Sequence, residues 1–262
     1  WGPPWLADGD GQATREAACL LCTNRNKRSL TVDTTRPEGQ EIVRQLARDA
    51  DVLIENFKGG GLAAYSLQQH SMRTLNPKLA YCSITGFGQH GPYAARAGYD
   101  FLIQGMAGLM SVTGTADGEP GAGPQKVGLA LTDIPTGLDA GNAILAALAH
   151  RDRDGYRSAD GQHIDLALLD VQIACLANQA MNYLVSGTAP KRMGNARPNI
   201  VHYQDFPTAD GDMILAIGND GQFARFCTVA GRSEWASDER FASNAARVST
   251  AMPRLRRFGR RG

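Results

Sequence analysis

Apolar and polar positions follow two periods along this chain, and the first clear one is helical. Ile42, Val43, Leu46, Ala47 and Ala50 recur at three- and four-residue spacing, which predicts one apolar stripe on a helix over 37–50. Pro37 opens that helix, in a first turn where a missing N–H is tolerated. Val52-Leu53-Ile54 is then a short unbroken apolar run with β-branched members, the pattern of a parallel strand buried on both faces. It ends at Glu55-Asn56-Phe57, ahead of three glycines at 59–61. A helical stretch over 62–75 leads to a second strand-like run over 79–84, closed by Thr85-Gly86-Phe87-Gly88. Before all of these, residues 8–16 read as a polar loop and 29–32 as a short strand.

Residues 86–98 form a loop and 99–112 a helix, and the Gly- and Pro-bearing stretch 114–126 is again a loop. A long apolar helix covers about 133–149, with Thr132 or Asp133 near its N-cap. After a charged turn over 151–161, residues 163–168 alternate as a strand does. Asp170 then stands at the start of a second long apolar helix running to 184. Strand, helix and strand repeat with short connections, so the expected class is α/β: a parallel-sheet, Rossmann-like large domain. Past 187 the texture changes. Residues 188–200 read as a linker, 206–211 as a turn, 213–217 as a strand and 222–230 as a helix, the start of a smaller α+β domain. The expected division is therefore 1–190, then 191–250, then a tail over 251–262 with five arginines and no apolar period, read as disordered or non-native.

Composition narrows the function classes. In 262 residues with 43% hydrophobic and 20% charged positions, a net charge of +1 gives no electrostatic case for a nucleic-acid partner. No apolar run reaches the roughly 20 residues of a membrane span. The five cysteines form no close, even framework, which points to a reducing, cytoplasmic setting. Cys19 and Cys22 make one CxxC with no second pair, so no metal site is expected and the two read as small apolar residues near a strand.

The candidate chemistry lies where strands end. In open α/β sheets functional groups gather at the carboxyl ends of the strands, where loops and helix N termini converge. Asp170 occupies such a place, although on its residues alone the better reading is an ordinary carboxylate serving a helix start. The glycines at 59–61 and the loop 86–91 let backbone approach a ligand, but they fit neither GxGxxG nor the P-loop. No GxSxG is present, and His163 reads as structural. His202, beside Tyr203, is a candidate substrate contact.

Taken together these segments resemble the class III, formyl-CoA transferase-like CoA-transferases over about residues 1–250. The residues that carry the resemblance are Asn24-Arg25-Asn26-Lys27-Arg28-Ser29, Pro37-Glu38-Gly39 and Asp51-Val52-Leu53-Ile54-Glu55-Asn56-Phe57. Further on they are Ser83-Ile84-Thr85-Gly86-Phe87-Gly88, Ala97-Gly98-Tyr99-Asp100, Gly161-Gln162-His163-Ile164-Asp165-Leu166-Ala167-Leu168-Leu169-Asp170 and Gly194-Asn195-Ala196. Within the family, 82–110 and 173–204 are most similar to succinyl-CoA:glutarate and related dicarboxylate transferases.

The resemblance implies an enzyme that moves CoA from an acyl-CoA thioester to a carboxylic acid, with no permanently bound cofactor and no metal. It places the family's nucleophilic aspartate on Asp170. It places CoA contacts on Val32, Asp33, Thr34 and Thr35, on Asn56, Phe57 and Lys58, and on Ala97, Gly98, Tyr99 and Asp100, the last two nearest the thioester. Trp1 corresponds to an active-site tryptophan. The family forms interlocked homodimers. The resemblance also implies that family segments before Trp1 and after about 250 are missing, with the ring of that dimer left unclosed. Cys19 and Ala64 stand where the family commonly has an aromatic residue and an arginine, and the glycine loop GGGGQ is absent. Two alternatives stay open: a non-catalytic fragment, and a 2-methylacyl-CoA racemase of the same superfold using His90 with Asp170.

Overall fold

A computed structural model of the protein describes residues 2–153 and 160–251. The expectations for Trp1, for most of the turn at 151–161 and for the tail at 252–262 lie outside the described residues.

The chain opens with a hairpin rather than the loop expected over 8–16. β1 (Trp5–Ala7) pairs antiparallel with β2 (Ala13–Ala17). Asp8 makes the turn, its Oδ1 accepting from the amides of Asp10 at 3.0 Å and Gln12 at 2.8 Å. Thr14, Arg15 and Glu16 give β2 no apolar face, so its pairing left no periodic signal. α1 (Ala18–Thr23) follows directly and carries Cys19 and Cys22, both exposed on a helix instead of packed near a strand core. Residues 29–32 are not a strand: they lie in coil with Leu30 exposed, and no described strand runs beside them to share a ladder.

The expected alternation then appears. α2 (Pro37–Asp49) feeds β3 (Val52–Glu55) through a two-residue link. The stretch 62–75 is interrupted: a 3-10 turn (Ala63–Tyr65) ends at Ser66, with φ 54°, before α3 (Gln69–Leu75). β4 (Ala80–Thr85) lies between β3 and β5 (His163–Ala167), parallel to both, with Glu55, Ser83 and Asp165 in one row. Between β4 and β5 run α4 (Asp100–Met106), α5 (Leu109–Val112) and the 19-residue α6 (Asp133–Arg151). The single helix expected over 99–112 is split at Gly108, whose φ of 89° no helix accommodates.

β5 runs into α7 (Leu168–Cys175), and α8 (Asn178–Ser186) follows a break at Ala177, φ 44°, so the apolar stretch to 184 is two helices. β6 (Tyr203–Pro207) and β7 (Asp212–Ala216) form an antiparallel pair. Phe206 and Pro207, expected in the turn, are instead the end of β6, where proline is tolerated. α9 (Asp220–Val229) and α10 (Asn244–Ala251) complete the described chain.

The central strand β4 is covered on both faces, as an unbroken apolar strand requires, whereas Ile54 of β3 stays exposed. Ala47, Leu67, Met72, Leu79 and Tyr81 pack together on the α2–α3 side, and the Tyr81 hydroxyl donates to the Leu67 carbonyl at 2.9 Å. Removing a side chain such as Leu79 from water stabilises the fold by about 1.5–3 kcal/mol. Ile103, Ala107 and Leu168 join Ile84 and Phe87 in a second cluster, formed with α4 and α7. Ile217, Phe223 and Cys227 form a third, above β7 and α9. Outward-facing Leu138 and Leu145 on α6, and Leu184 and Val185 on α8, remain exposed. No described helix is long and apolar enough to cross a membrane.

Candidate functional site

Because α2 enters β3 through a two-residue connection, its N terminus turns back toward the strands' carboxyl ends, where α7 begins. The residues singled out in the sequence lie around this edge.

Asn56, just after β3, donates through Nδ2 to the Ile84 carbonyl of β4 at 2.7 Å. Glu55 accepts from the Phe57 amide at 2.7 Å, which fixes the turn and leaves the Phe57 ring half in solvent. Lys58 closes the glycine turn, its carbonyl accepting from Gly61 at 2.7 Å. The loop after β4 is equally constrained. Thr85 Oγ1 accepts from the Gly88 amide at 2.8 Å and Asp165 Oδ2 from the Gln89 amide at 3.1 Å. Arg96 lies over the Tyr93 ring at 4.7 Å, with Phe87 edge-on to that ring at 5.4 Å.

Gly86 and Gly98 touch through their main chains, and a Cβ on either would collide with the other. This contact sets Ala97, Gly98, Tyr99 and Asp100 against the end of β4, while Gly86 also accepts from the Leu169 amide at 3.1 Å. Tyr99 is exposed, at 74%, and its ring is free to meet a ligand. Asp100 is already engaged: Oδ1 accepts from the Thr132 amide and Oδ2 from Gln104 Nε2, both at 2.7 Å. Thr132 in turn donates through its hydroxyl to Gln172 Oε1 at 2.8 Å, so α4, α6 and α7 meet in one buried polar network.

Val32, Asp33, Thr34 and Thr35 form the loop before α2. Asp33 Oδ1 accepts from the Thr35 amide at 3.0 Å and hydroxyl at 2.6 Å, and those hydrogen bonds hold its carboxyl below the usual range. Gln40 Nε2 donates to the Thr34 carbonyl at 3.2 Å, and Gly39 leaves room for the Asp33 backbone. The contacts of this loop thus go to the first turns of α2, and it is not joined to Asn56 or Tyr99 by a hydrogen bond.

Asp170 is the third residue of α7 and exposed. A second carboxylate, noted in the sequence only near a helix start, is the first residue of α6: Asp133. One side of it is open to solvent, yet surrounding protein pushes its carboxyl up, and the charge of Asp100 adds to that rise. The signal was available, because Asp133 also begins a helix that leads into a sheet strand, as Asp170 begins one that leaves a strand.

Two histidines are inward-looking. His163 Nε2 lies 3.1 Å from Ser83 Oγ and its ring is edge-on to Tyr81. His202 sits among Phe206, Phe223 and Phe226, away from the sheet edge. Among the described residues no group of three His, Cys, Asp or Glu side chains is placed to hold a metal. A cavity of about 280 Å³ lined by Arg48, Asp51, Lys78 and Arg151 opens at the opposite, amino end of the strands and is not part of this arrangement.

The chain matches CoA-transferase family III over residues 6–258. It is 57% identical over 249 residues to a succinate–glutarate CoA-transferase of Agrobacterium fabrum, covering 95% of this chain and 60% of that one. It is 39% identical over 248 residues to a human succinyl-CoA:glutarate CoA-transferase, covering 95% and 53%. The chain thus spans only about half to three-fifths of the length of these curated relatives. Among solved structures, a CAIB/BAIF family protein from Brucella suis superposes with a TM-score of 0.78 at 53% identity, over 96% of this chain and 64% of that one. A Mycobacterium tuberculosis protein superposes at 0.73 and 30% identity, over 87% and 57%. A parallel sheet with glycine-linked loops and carboxylates at its carboxyl edge, in a chain matched from residue 6 to residue 258, belongs to CoA-transferase family III.

Proposed function

We propose that this chain carries the acyl-accepting half of a CoA transfer between an acyl-CoA thioester and a carboxylic acid, with a side-chain carboxylate as nucleophile. The observation that carries this reading is the place of Asp170: an exposed carboxylate in the first turn of α7, next to Leu169, whose amide donates to Gly86, the residue in main-chain contact with Gly98 before Tyr99. A carboxylate so placed at the carboxyl edge of the sheet can meet a thioester carbonyl. Asp170 is also the residue that the sequence motif points to; Asp133, at the start of α6, is the second carboxylate to be tested.

In the proposed course a carboxylate oxygen attacks the thioester carbonyl, the C–S bond breaks and CoA thiolate leaves, giving an aspartyl–acyl anhydride. The thiolate attacks the aspartyl carbonyl, the anhydride C–O bond breaks and the first acid departs, leaving an aspartyl–CoA thioester. The acceptor acid's carboxylate attacks that thioester, and the released thiolate takes the new acyl group and frees the aspartate. No net oxidation or proton transfer is needed, so the site's task is positioning. Tyr99 and Phe57, exposed beside the pinned turns, would flank the thioester arm, and Val32 to Thr35 and Lys58 would meet the nucleotide end.

The names of the relatives support a dicarboxylate such as succinate or glutarate as the acid. The exposed leucines of α6 and α8 support assembly of the family's homodimer. A division near residue 190 belongs to the same reading, since the first two core clusters lie wholly before it and the third wholly after it.

The test is intact-protein mass spectrometry after incubation with succinyl-CoA and hydroxylamine trapping, in the wild type, Asp133→Asn and Asp170→Asn. An adduct lost only in Asp170→Asn supports the reading. Loss only in Asp133→Asn moves the nucleophile to α6. A folded wild type that forms no adduct with any of several acyl-CoAs ends the enzymatic reading.

A further inference from the structure

Cys19-Leu20-Leu21-Cys22 is a motif that the proposed transfer leaves unused. β2 runs straight into α1, and both cysteines lie exposed on that short helix. Cys82 and Cys227 are buried, and Cys175 is exposed on α7 with no second cysteine within a helical turn. Residues three apart on a helix share a face, with Cα atoms about 5 Å apart, inside the span that a disulfide bridges. Cys22 already leans toward its neighbour: its thiol donates to the Cys19 carbonyl at 3.1 Å, and the Thr23 hydroxyl donates to the same oxygen at 3.1 Å.

Exposure removes the packing role that buried cysteines have. Two sulfurs fill only half of a tetrahedral zinc shell, and among the described residues no third ligand joins them. Sulfur exchange remains, and α1 can accommodate it. The helix has six residues, none of them buried, and no side chain caps its start. Drawing the Cβ atoms from the about 5–6 Å of a helical pair to the roughly 4 Å of a disulfide therefore disturbs one short turn and no core contact. A bond closed against such a turn is readily reduced again. Arg25 lines one hollow with Ala18, Leu21 and Cys22, and Lys27 is held at the end of α1 by its bond to the Thr23 carbonyl at 2.7 Å. Arg25, Lys27 and Arg28 are all exposed, so this end of the helix attracts anions.

We propose that Cys19 and Cys22 form a reversible dithiol–disulfide site that exchanges with a small anionic disulfide of the glutathione type, drawn in by Arg25 and Lys27. The Cys22 thiolate, in the hollow beside Arg25, attacks one sulfur of the small disulfide; that S–S bond breaks, one small thiolate leaves and a mixed disulfide stands on Cys22. The Cys19 thiolate then attacks the Cys22 sulfur, the mixed S–S bond breaks and the second small thiolate leaves. The two cysteines have given up two electrons and two protons, and the small disulfide has become two thiols, so no other oxidant enters. Excess small thiol runs the same steps backward. Burial pushes the Cys82 thiol up to about 11 and raises that of Cys227, which keeps both out of the exchange.

The test is incubation of the full chain with oxidised glutathione, then alkylation, proteolysis and mass spectrometry of the peptide from Glu16 to Arg25. This peptide is expected to lose the mass of two hydrogens, to carry no glutathione and to reopen under excess reduced glutathione. Cys19→Ser is expected to stop at a stable glutathione adduct on Cys22, because the sulfur that closes the ring is gone. Arg25→Glu is expected to slow the exchange about threefold or more at low salt while leaving exchange with neutral hydroxyethyl disulfide nearly unchanged. Thermal melting checks that each variant is folded. Asp170→Asn is expected to close the same ring at the same rate, which separates this site from the proposed transfer. Glutathione left on Cys19 or Cys22 of the wild type without a ring, a ring that forms only in denaturant, a bond to a cysteine of a second chain, or an Arg25→Glu rate equal to the wild type would each overturn the proposal.

Discussion

The Thr132 hydroxyl donates to the side-chain carbonyl of Gln172 at 2.8 Å, and both residues are fully buried. This bond joins the residue before Asp133 to the residue two beyond Asp170, so the two candidate nucleophiles are carried by helices tied at their first turns. The Thr132 amide is held by Asp100, and Gln104, which also binds Asp100, accepts from the Val127 amide at 2.9 Å. The position of the proposed nucleophile therefore depends on polar contacts out of reach of water.

Thr132→Val keeps the shape and the amide bond to Asp100 but removes the hydroxyl donor. Gln172 Nε2 is already without a partner, so the variant leaves the whole buried amide unmatched. A loss of about 1–3 kcal/mol is expected, read from urea denaturation midpoints. An unchanged midpoint would show that water reaches this site and that the network does not hold the helices.

Asp133→Asn should stabilise the protein at neutral pH while leaving the succinyl-CoA adduct in place. A carboxyl whose pKa is raised on folding contributes stability below its unfolded pKa, and that contribution is gone once pH has risen through the folded value. At neutral pH the ionised group is thus a liability that asparagine removes. The gain in thermal midpoint should shrink as pH falls toward about 3, where an aspartate is protonated in both states. A midpoint that falls in Asp133→Asn at pH 7 would contradict the raised carboxyl.

His202 gives the opposite dependence. Burial holds its pKa down, and the Arg247 charge adds to this; its other neighbours, Phe206, Phe223 and Phe226, are uncharged. A depressed histidine contributes stability above its unfolded pKa, and this is lost as pH falls through the folded value. His163 has the same sign: burial leads, Arg73 and His90 add to it, and Asp165 and Glu55 oppose it. Thermal stability should therefore decline on acidification below about pH 6.5, and His202→Phe should flatten that decline without erasing it. An unaltered slope in the variant would place the acid sensitivity elsewhere.

Arg247 is 1% exposed, stacks on Phe223 at 4.4 Å and donates to Val201 at 2.8 Å, Phe241 at 2.7 Å and Asp220 at 2.8 Å. Arg247→Met fills the space but leaves two carbonyls and a carboxylate without their donor. A loss of about 3–5 kcal/mol is expected, with Lys recovering only part because it lacks the planar fork. Chemical denaturation followed by Trp235 fluorescence would read this directly. A neutral result would mean that the carbonyls find water.

The sheet was legible because β3 and β4 are short apolar runs, β5 alternates and α2 keeps a clean period, as Leu53 and Val43 illustrate. The hairpin at Trp5–Ala17 was not, since Arg15 and Glu16 erase the alternation that marks a half-buried strand. The helix breaks at Ser66 and Ala177 were hidden because neither residue type announces a positive φ, whereas Gly108 could have been suspected. At the site, motifs pointed to the turns of Asn56 and Gly98 and to Asp170, but not to the buried network behind them, because Asp100, Gln104, Thr132 and Gln172 come from distant parts of the chain. Arg247 carried no signal at all, as its partners are mostly backbone carbonyls.

The contact between Gly86 and Gly98 is made of main chain alone. Two loops joined in this way have no side-chain rotamers at the joint through which to absorb a displacement. A shift at the end of β4 would pass to Tyr99 and the first turn of α4 almost undiminished, as through a rigid lever. Loop 86–98 and the start of α4 should then behave as one body, and a ligand pressing on Tyr99 would be felt at the amide of Leu169, across the sheet edge, before any side chain had turned.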